Sequence, residues 1–143
     1  MAIPAPSPKS GLSRRVRRPL RWLLALAMVG VGVLHFATPD PFVRIVPAWL
    51  PAPLALVYVS GAFEILGGLG LLVPRARRGA AIGLVALYFA VFPANVNMAV
   101  NRISIDDARP IPPAALWLRL PVQALFIAWA LWVRKDDEDR SPR

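Results

Sequence analysis

The stretch LALVYVSGAFEILGGLGLLV, residues 54–73, decides the fold. Its only charge is Glu64. A helix of about 20 residues, rising about 1.5 Å per residue, crosses a hydrocarbon core about 30 Å thick. The run is therefore a transmembrane helix, and Glu64 sits near its middle. An ionisable group at that depth is costly, so it is expected to face a protein interior and to have a partner there.

Three further runs read the same way: 20–36, 79–95 and 114–133. None shows the strict alternation of a barrel strand, and Pro-rich or charged connectors separate them. A hydrophobic content of 57% and a mean hydropathy of +0.52 are also high for a water-soluble domain of this length. The expected fold is all-α, a four-helix transmembrane bundle over 19–134. A disordered basic tail is expected at 1–18, an interfacial outer segment at 38–53 and a charged tail at 135–143.

The net charge of +9 would suggest nucleic acid on a soluble face, but its placement argues against that partner. Lys9, Arg14, Arg15, Arg17, Arg18 and Arg21 precede or open the first run. Arg75, Arg77 and Arg78 fill the turn between the second and third. Arg134, Lys135, Arg140 and Arg143 follow the fourth, balanced by four acidic residues at 136–139. These segments hold the whole excess, while Asp40, Arg44, Arg102, Asp106, Asp107 and Arg109 cancel on the opposite side. Positively charged short segments stay in the cytoplasm, so both termini are expected there. The basic flanks also suit anionic headgroups, making the lipid bilayer the expected partner.

Basic residues ahead of an apolar run also describe a signal peptide, and Ser13, Arg14 and Arg15 hint at a twin-arginine signal. No small-x-small cleavage site follows the run, and the charge map alternates only with an even number of spans. An uncleaved span is expected. The absence of cysteine removes disulfides and thiol chemistry. In the outer segment, five prolines punctuate Phe42, Val43, Ile45, Val46, Trp49 and Leu50. Prolines prevent a long helix while the apolar side chains avoid water. Either a segment lying in the interface or a loop folded over the bundle satisfies both facts.

Ser60, Gly61, Glu64, Gly67 and Gly68 share one side of the second run, and Gly79 and Gly83 form a small-xxx-small pair in the third. These small residues are expected to be helix-packing devices. Polar residues gather toward the outer half. His35 ends the first run, Asn95 and Asn97 end the third just past Pro93, and Arg119 and Gln123 lie four apart in the fourth. One reading makes Glu64 and Arg119 a buried ion pair that fixes helix register, with Gln123, Asn95 and His35 satisfying leftover groups. The other makes His35, Glu64, Asn95, Arg119 and Gln123 the lining of a cavity open to the outer face. Such a cavity suits a small polar molecule or a quinone headgroup, or a proton relay between Glu64 and His35. No second His and no Cys completes a metal site. No Ser–His–Asp order or Gly-rich phosphate loop points to catalysis by this chain alone.

Read in order, Gly32-Val33-Leu34-His35-Phe36, the Pro-rich segment after it, Ser60-Gly61-x-x-Glu64-x-x-Gly67-Gly68, Val91-Phe92-Pro93-Ala94-Asn95 and Arg119-x-Pro121-x-Gln123 resemble the DoxX-like family of small four-helix membrane proteins. The resemblance runs from about residue 24 to residue 133. It implies an integral inner-membrane protein, and for some relatives a place in membrane redox systems. A non-catalytic subunit or accessory factor of a respiratory or redox assembly is the leading functional expectation, with a membrane redox protein as partner. The alternative is a binder or carrier of a small molecule through Glu64, Arg119, Gln123 and His35.

Overall fold

The computed structural model describes residues 8–104 and 110–135, and side chains from residue 15 onward. The expected tail segments 1–7 and 136–143, and the outer charges Asp106, Asp107 and Arg109, lie outside the described residues. Within the described residues, five helices follow one another: α1 (Pro8–Ala37), α2 (Asp40–Ile45), α3 (Pro53–Leu72), α4 (Arg77–Val100) and α5 (Pro113–Val133). Four segments among them are long and apolar enough to cross a membrane: Arg15–Ala37, Pro53–Leu72, Arg77–Val100 and Pro113–Val133. Each turns large apolar side chains outward; Leu26, Leu66, Phe89 and Leu125, one per helix, are 64–66% exposed. Such a surface is stable in lipid and not in water. This is an all-α membrane protein built on a four-helix bundle.

Local sequence sets the helix ends. Pro53 and Pro113 occupy first-turn positions, where a missing N–H costs nothing. Val73 is extended because Pro74 follows it, and Val46 is extended ahead of Pro47. At the α3–α4 turn, the buried Arg77 donates from Nε to the Leu71 carbonyl at 3.1 Å. Arg21, also buried, does the same for α5, donating to the carbonyls of Val133 at 3.1 Å and Lys135 at 3.0 Å. Two of the positive charges that mark topology in the sequence are thus helix C-caps, placed where the carbonyl dipoles are negative.

Two helices run past their expected ends. α1 begins at Pro8, so residues 8–18, expected in the irregular tail, are helical. Packing favours the extension, because Arg17 lies over the Trp132 ring at 5.4 Å, one turn before Arg21 caps α5. α4 continues through Pro93 to Val100, which puts Asn95 and Asn97 inside the helix and not at its end. Met98 and Ala99 are buried against Ile45 and Leu116, and this burial outweighs the single backbone bond that Pro93 removes. In the segment 38–53, the short helix lies against the bundle. α2 packs on α3 and α4, its Ile45 is buried and Asn97 donates to the Ile45 carbonyl at 2.9 Å, while Trp49 stays exposed.

α1 packs most extensively on α3, α3 on α4 and α4 on α5; α1 and α5 meet more sparingly. The approach of α1 and α3 depends on glycine. A Cβ on Gly61 would lie 2.6 Å from His35 Cβ, one on Gly32 2.7 Å from the Gly61 carbonyl oxygen, and one on Gly68 2.8 Å from the Ala25 carbonyl oxygen. Gly67 and Gly70 serve α4 instead, at 2.5 Å from Leu84 and 2.6 Å from Ala80. Gly61, Gly67 and Gly68 are therefore packing devices as expected, and Gly32 and Gly70 join them. Gly79 and Gly83 are not. A methyl group added at either would meet no atom of the described residues within 4 Å, because the face of α4 that meets the α3 glycines runs through Ala80 and Leu84. Gly61→Ala should destabilise the fold by about 1–3 kcal/mol. Gly83→Ala should be neutral or stabilising by up to about 1 kcal/mol. Thermal unfolding in detergent, followed by circular dichroism, checks both.

Candidate functional site

Two apolar clusters stack along the bundle. The lower one joins Leu24, Ala25, Met28, Leu71, Leu84 and Val133; the upper one joins Ile45, Met98, Ala99 and Leu116. Between them lies a cavity of about 550 Å³, lined by α1 to α5 and the segment after α2. Its polar lining consists of His35, Ser60, Glu64, Tyr88, Asn95, Arg119 and Gln123. The five residues singled out from the sequence thus meet at one place.

They do not meet in one network. Gln123 is buried and accepts from Asn95 Nδ2 at 2.7 Å, while its own amide donates to the Tyr88 carbonyl. This joins α5 to α4 through groups that satisfy one another. Tyr88 reaches across to α1, where its hydroxyl donates to Met28 Sδ at 3.0 Å. Ser60, expected as a packing residue, lines the cavity and donates to the Val57 carbonyl in its own helix at 2.9 Å.

On the opposite wall stand His35 and Glu64, with side chains only 8% and 12% exposed. His35 stacks on Phe42 of α2, ring centroids 3.8 Å apart. Its Nδ1 lies 2.8 Å from the Val31 carbonyl. A carbonyl only accepts, so Nδ1 carries the hydrogen and donates it there. Glu64 Oε2 is 3.3 Å from the same nitrogen, yet that hydrogen is already committed. Oε2 is buried with no hydrogen-bond partner among the described residues. Glu64 and Arg119 do not form the ion pair that one reading of the sequence anticipated: among the described residues, the basic side chain that approaches the Glu64 carboxylate is the His35 imidazole. Arg119 is exposed at the edge of the cavity and has no carboxylate partner among the described residues. The reason is geometric. Glu64 faces α1, the helix against which α3 packs most closely, and α5 stands diagonally opposite.

Residues 24–134 match a family described as Domain of unknown function (DUF8561). The chain belongs to that family. No curated protein and no solved structure matches it. Within this family member, Tyr88 and Phe42 are the site residues that sequence reading missed. Aromatic residues in an apolar helix carry no polar spacing signal, and the contact of Gln123 with both Tyr88 and Asn95 becomes meaningful only once α4 and α5 are paired. Among the described residues no three His, Cys, Asp or Glu side chains converge as a metal site requires.

Whether Arg119 is held by a carboxylate is measurable. Removing one member of a buried ion pair costs about 3–5 kcal/mol. Arg119→Leu is expected to change stability by no more than about 0.5 kcal/mol. Gln123→Leu, which strands the Asn95 amide and the Tyr88 carbonyl, should cost about 1–2 kcal/mol. Graded unfolding in sodium dodecyl sulfate separates the two expectations.

Proposed function

We propose that the protein binds a small molecule in the cavity between its two apolar clusters, as a non-catalytic binder or carrier. One observation carries this reading. Glu64 Oε2 is buried, lines a cavity and has no donor among the described residues, whereas the neighbouring Asn95 amide donates to Gln123 and the Gln123 amide to the Tyr88 carbonyl. A buried acceptor left unmatched costs about 1–3 kcal/mol, a cost that a ligand's hydrogen-bond donor removes. A cavity of 550 Å³ with mainly apolar walls and a few polar groups has the character of a ligand site. A quinone headgroup belongs to the chemistry it suits. The test is native mass spectrometry of the intact protein extracted from its membrane in mild detergent. An added small-molecule mass should be retained by the wild type and lost in Glu64→Leu and Arg119→Leu, with helicity unchanged in both. Recovery of the wild type bare in repeated preparations, or loss of helicity in both variants, would sink the reading.

A second reading makes the protein a subunit or accessory factor of a membrane redox assembly, in keeping with the resemblance to DoxX-like proteins. The outward Gly79 and Gly83 favour it, since a face without side chains lets a partner helix approach closely in lipid. Co-purification in mild detergent should then recover a redox protein, and repeated isolation of the lone chain would count against it.

The proposed setting is a bacterial inner membrane with both termini in the cytoplasm. Arg15, Arg18, Arg75 and Arg78 are exposed at the bundle end where α1 starts, α3 meets α4 and α5 finishes, and that end stays inside by the positive-inside rule. Because the chain has no cysteine, single substitutions report topology directly. Ala76→Cys should react with a membrane-impermeant maleimide only from the cytoplasmic side, and Trp49→Cys only from the other.

A further inference from the structure

The face that α3 presents to α4 changes character along its length. Leu56, Val59, Phe63, Gly67 and Gly70 follow one another at helical spacing, so they share that face. At its lower end the two helices are in contact so close that methyl groups on Gly67 and Gly70 would overlap Leu84 and Ala80. At its upper end the same face is open. Val59 is 52% exposed, and Leu56 and Phe63 are exposed as well. On α4, the buried Leu84 gives way to the half-buried Val91 and the exposed Ala90. Leu56, Val59, Ala90 and Val91 all line the cavity. The helices therefore diverge upward, and the cavity reaches the lipid-facing surface between them.

Over the top, α2 covers the same space. His35 stacks on Phe42, and Asn97 holds the Ile45 carbonyl. The route from water is roofed, while the route from lipid is walled by small or aliphatic side chains.

We propose that the ligand is a membrane-dissolved amphiphile that enters sideways between α3 and α4, leaving its chain in the gap beside Val59 and Ala90. This rests on the reading of the cavity as a binding site and names what it takes. The walls are mainly apolar, which suits a chain, and a few polar groups interrupt them. Glu64 Oε2 lacks a donor among the described residues and Arg119 supplies donors at the cavity edge. The head must accordingly both donate and accept hydrogen bonds, as a hydroxyl-bearing head does. An anionic head without a donor leaves Glu64 facing a like charge. A purely apolar lipid leaves both groups unmatched.

The experiment uses the full chain in lipid nanodiscs with two photoreactive probes, hexadecanol and butanol, each carrying a diazirine. Wild type should be labelled by the hexadecanol probe on cavity-lining residues, and much less by the butanol probe at equal concentration. Ala90→Trp, or Val59→Trp should the first fail to fold, plugs the side gap and is expected to reduce hexadecanol labelling roughly tenfold while leaving butanol labelling unchanged. Leu26→Trp, on a lipid-facing position of α1 away from the cavity, should leave both unchanged. Hexadecanol labelling at the wild-type level in both plugged variants overturns side entry. So does loss of both labels together, because the substitution then acts on the whole cavity and not on a route that only the long chain uses. Equal labelling of the wild type by the two probes overturns the amphiphile. Glu64→Leu, which removes the acceptor, separates this inference from the one beneath it. Loss of labelling by both probes in that variant keeps the site, whatever the route, and retained labelling by both ends the binding reading altogether.

Discussion

The contact of α1 with α3 is the constraint on which the rest depends. Gly32 and Gly61 let the two backbones meet, with Gly68 against Ala25 continuing the seam toward the base. In an antiparallel pair, side chains that lean toward their own N-termini lean in opposite directions. His35 leans down from the upper end of α1 and bonds to the Val31 carbonyl, whereas Glu64 leans up from the middle of α3. The two converge although Gly61, and not Glu64, stands level with His35. A side chain at Gly61 would displace the His35 stem, and with it the ring that stacks on Phe42 and ties α2 to the bundle.

The same seam explains why the polar groups divide into a satisfied wall and an unsatisfied one. α4 and α5 bring amides together, and amides donate and accept, so Asn95, Gln123 and the Tyr88 carbonyl complete one another. α1 and α3 bring together an imidazole whose Nδ1 hydrogen is already given to its own helix and a carboxylate that needs a donor. Interhelical bonds of the first kind hold register. The second kind leaves free energy to be gained from whatever else enters the cavity.

The long spans were legible because lipid leaves a helix no alternative: an apolar run of sufficient length must satisfy its backbone internally. Residues 54–73 and 114–133 coincide with α3 and α5 to within a residue at each end. Helix ends set by tertiary packing were harder to read. α4 outruns its apolar stretch because Met98 and Ala99 find Ile45 and Leu116, contacts made by residues far away along the chain. Convergence of His35, Glu64, Asn95, Arg119 and Gln123 on one cavity was readable from their shared depth. Their pairing was not. Opposite charges on α3 and α5 suggest an ion pair, but adjacency around the bundle runs α1, α3, α4, α5, and no residue pattern in one sequence states that order. Gly79 and Gly83 mislead for the same reason, since spacing shows that residues share a face and not which face is covered.

The buried arginines bear on how the site can open. Read as charge, Arg21 and Arg77 only report which side of the membrane they occupy. In the fold they close the base: Arg77 ties the end of α3 at its turn into α4, and Arg21 ties α1 to the end of α5. Charged hydrogen bonds to helix-terminal carbonyls are stronger than neutral ones and gain further from the dipole. Together with the glycine contacts of Gly67, Gly68 and Gly70, they make the lower half the more closely joined part of the bundle. The upper half has a six-residue helix as its cover, joined to α3 through Ala52 at φ 50, a left-handed conformation that costs an alanine roughly 1–2 kcal/mol. On the proposed reading, a ligand therefore enters through the upper half, where Leu56, Val59 and Phe63 of α3 are exposed.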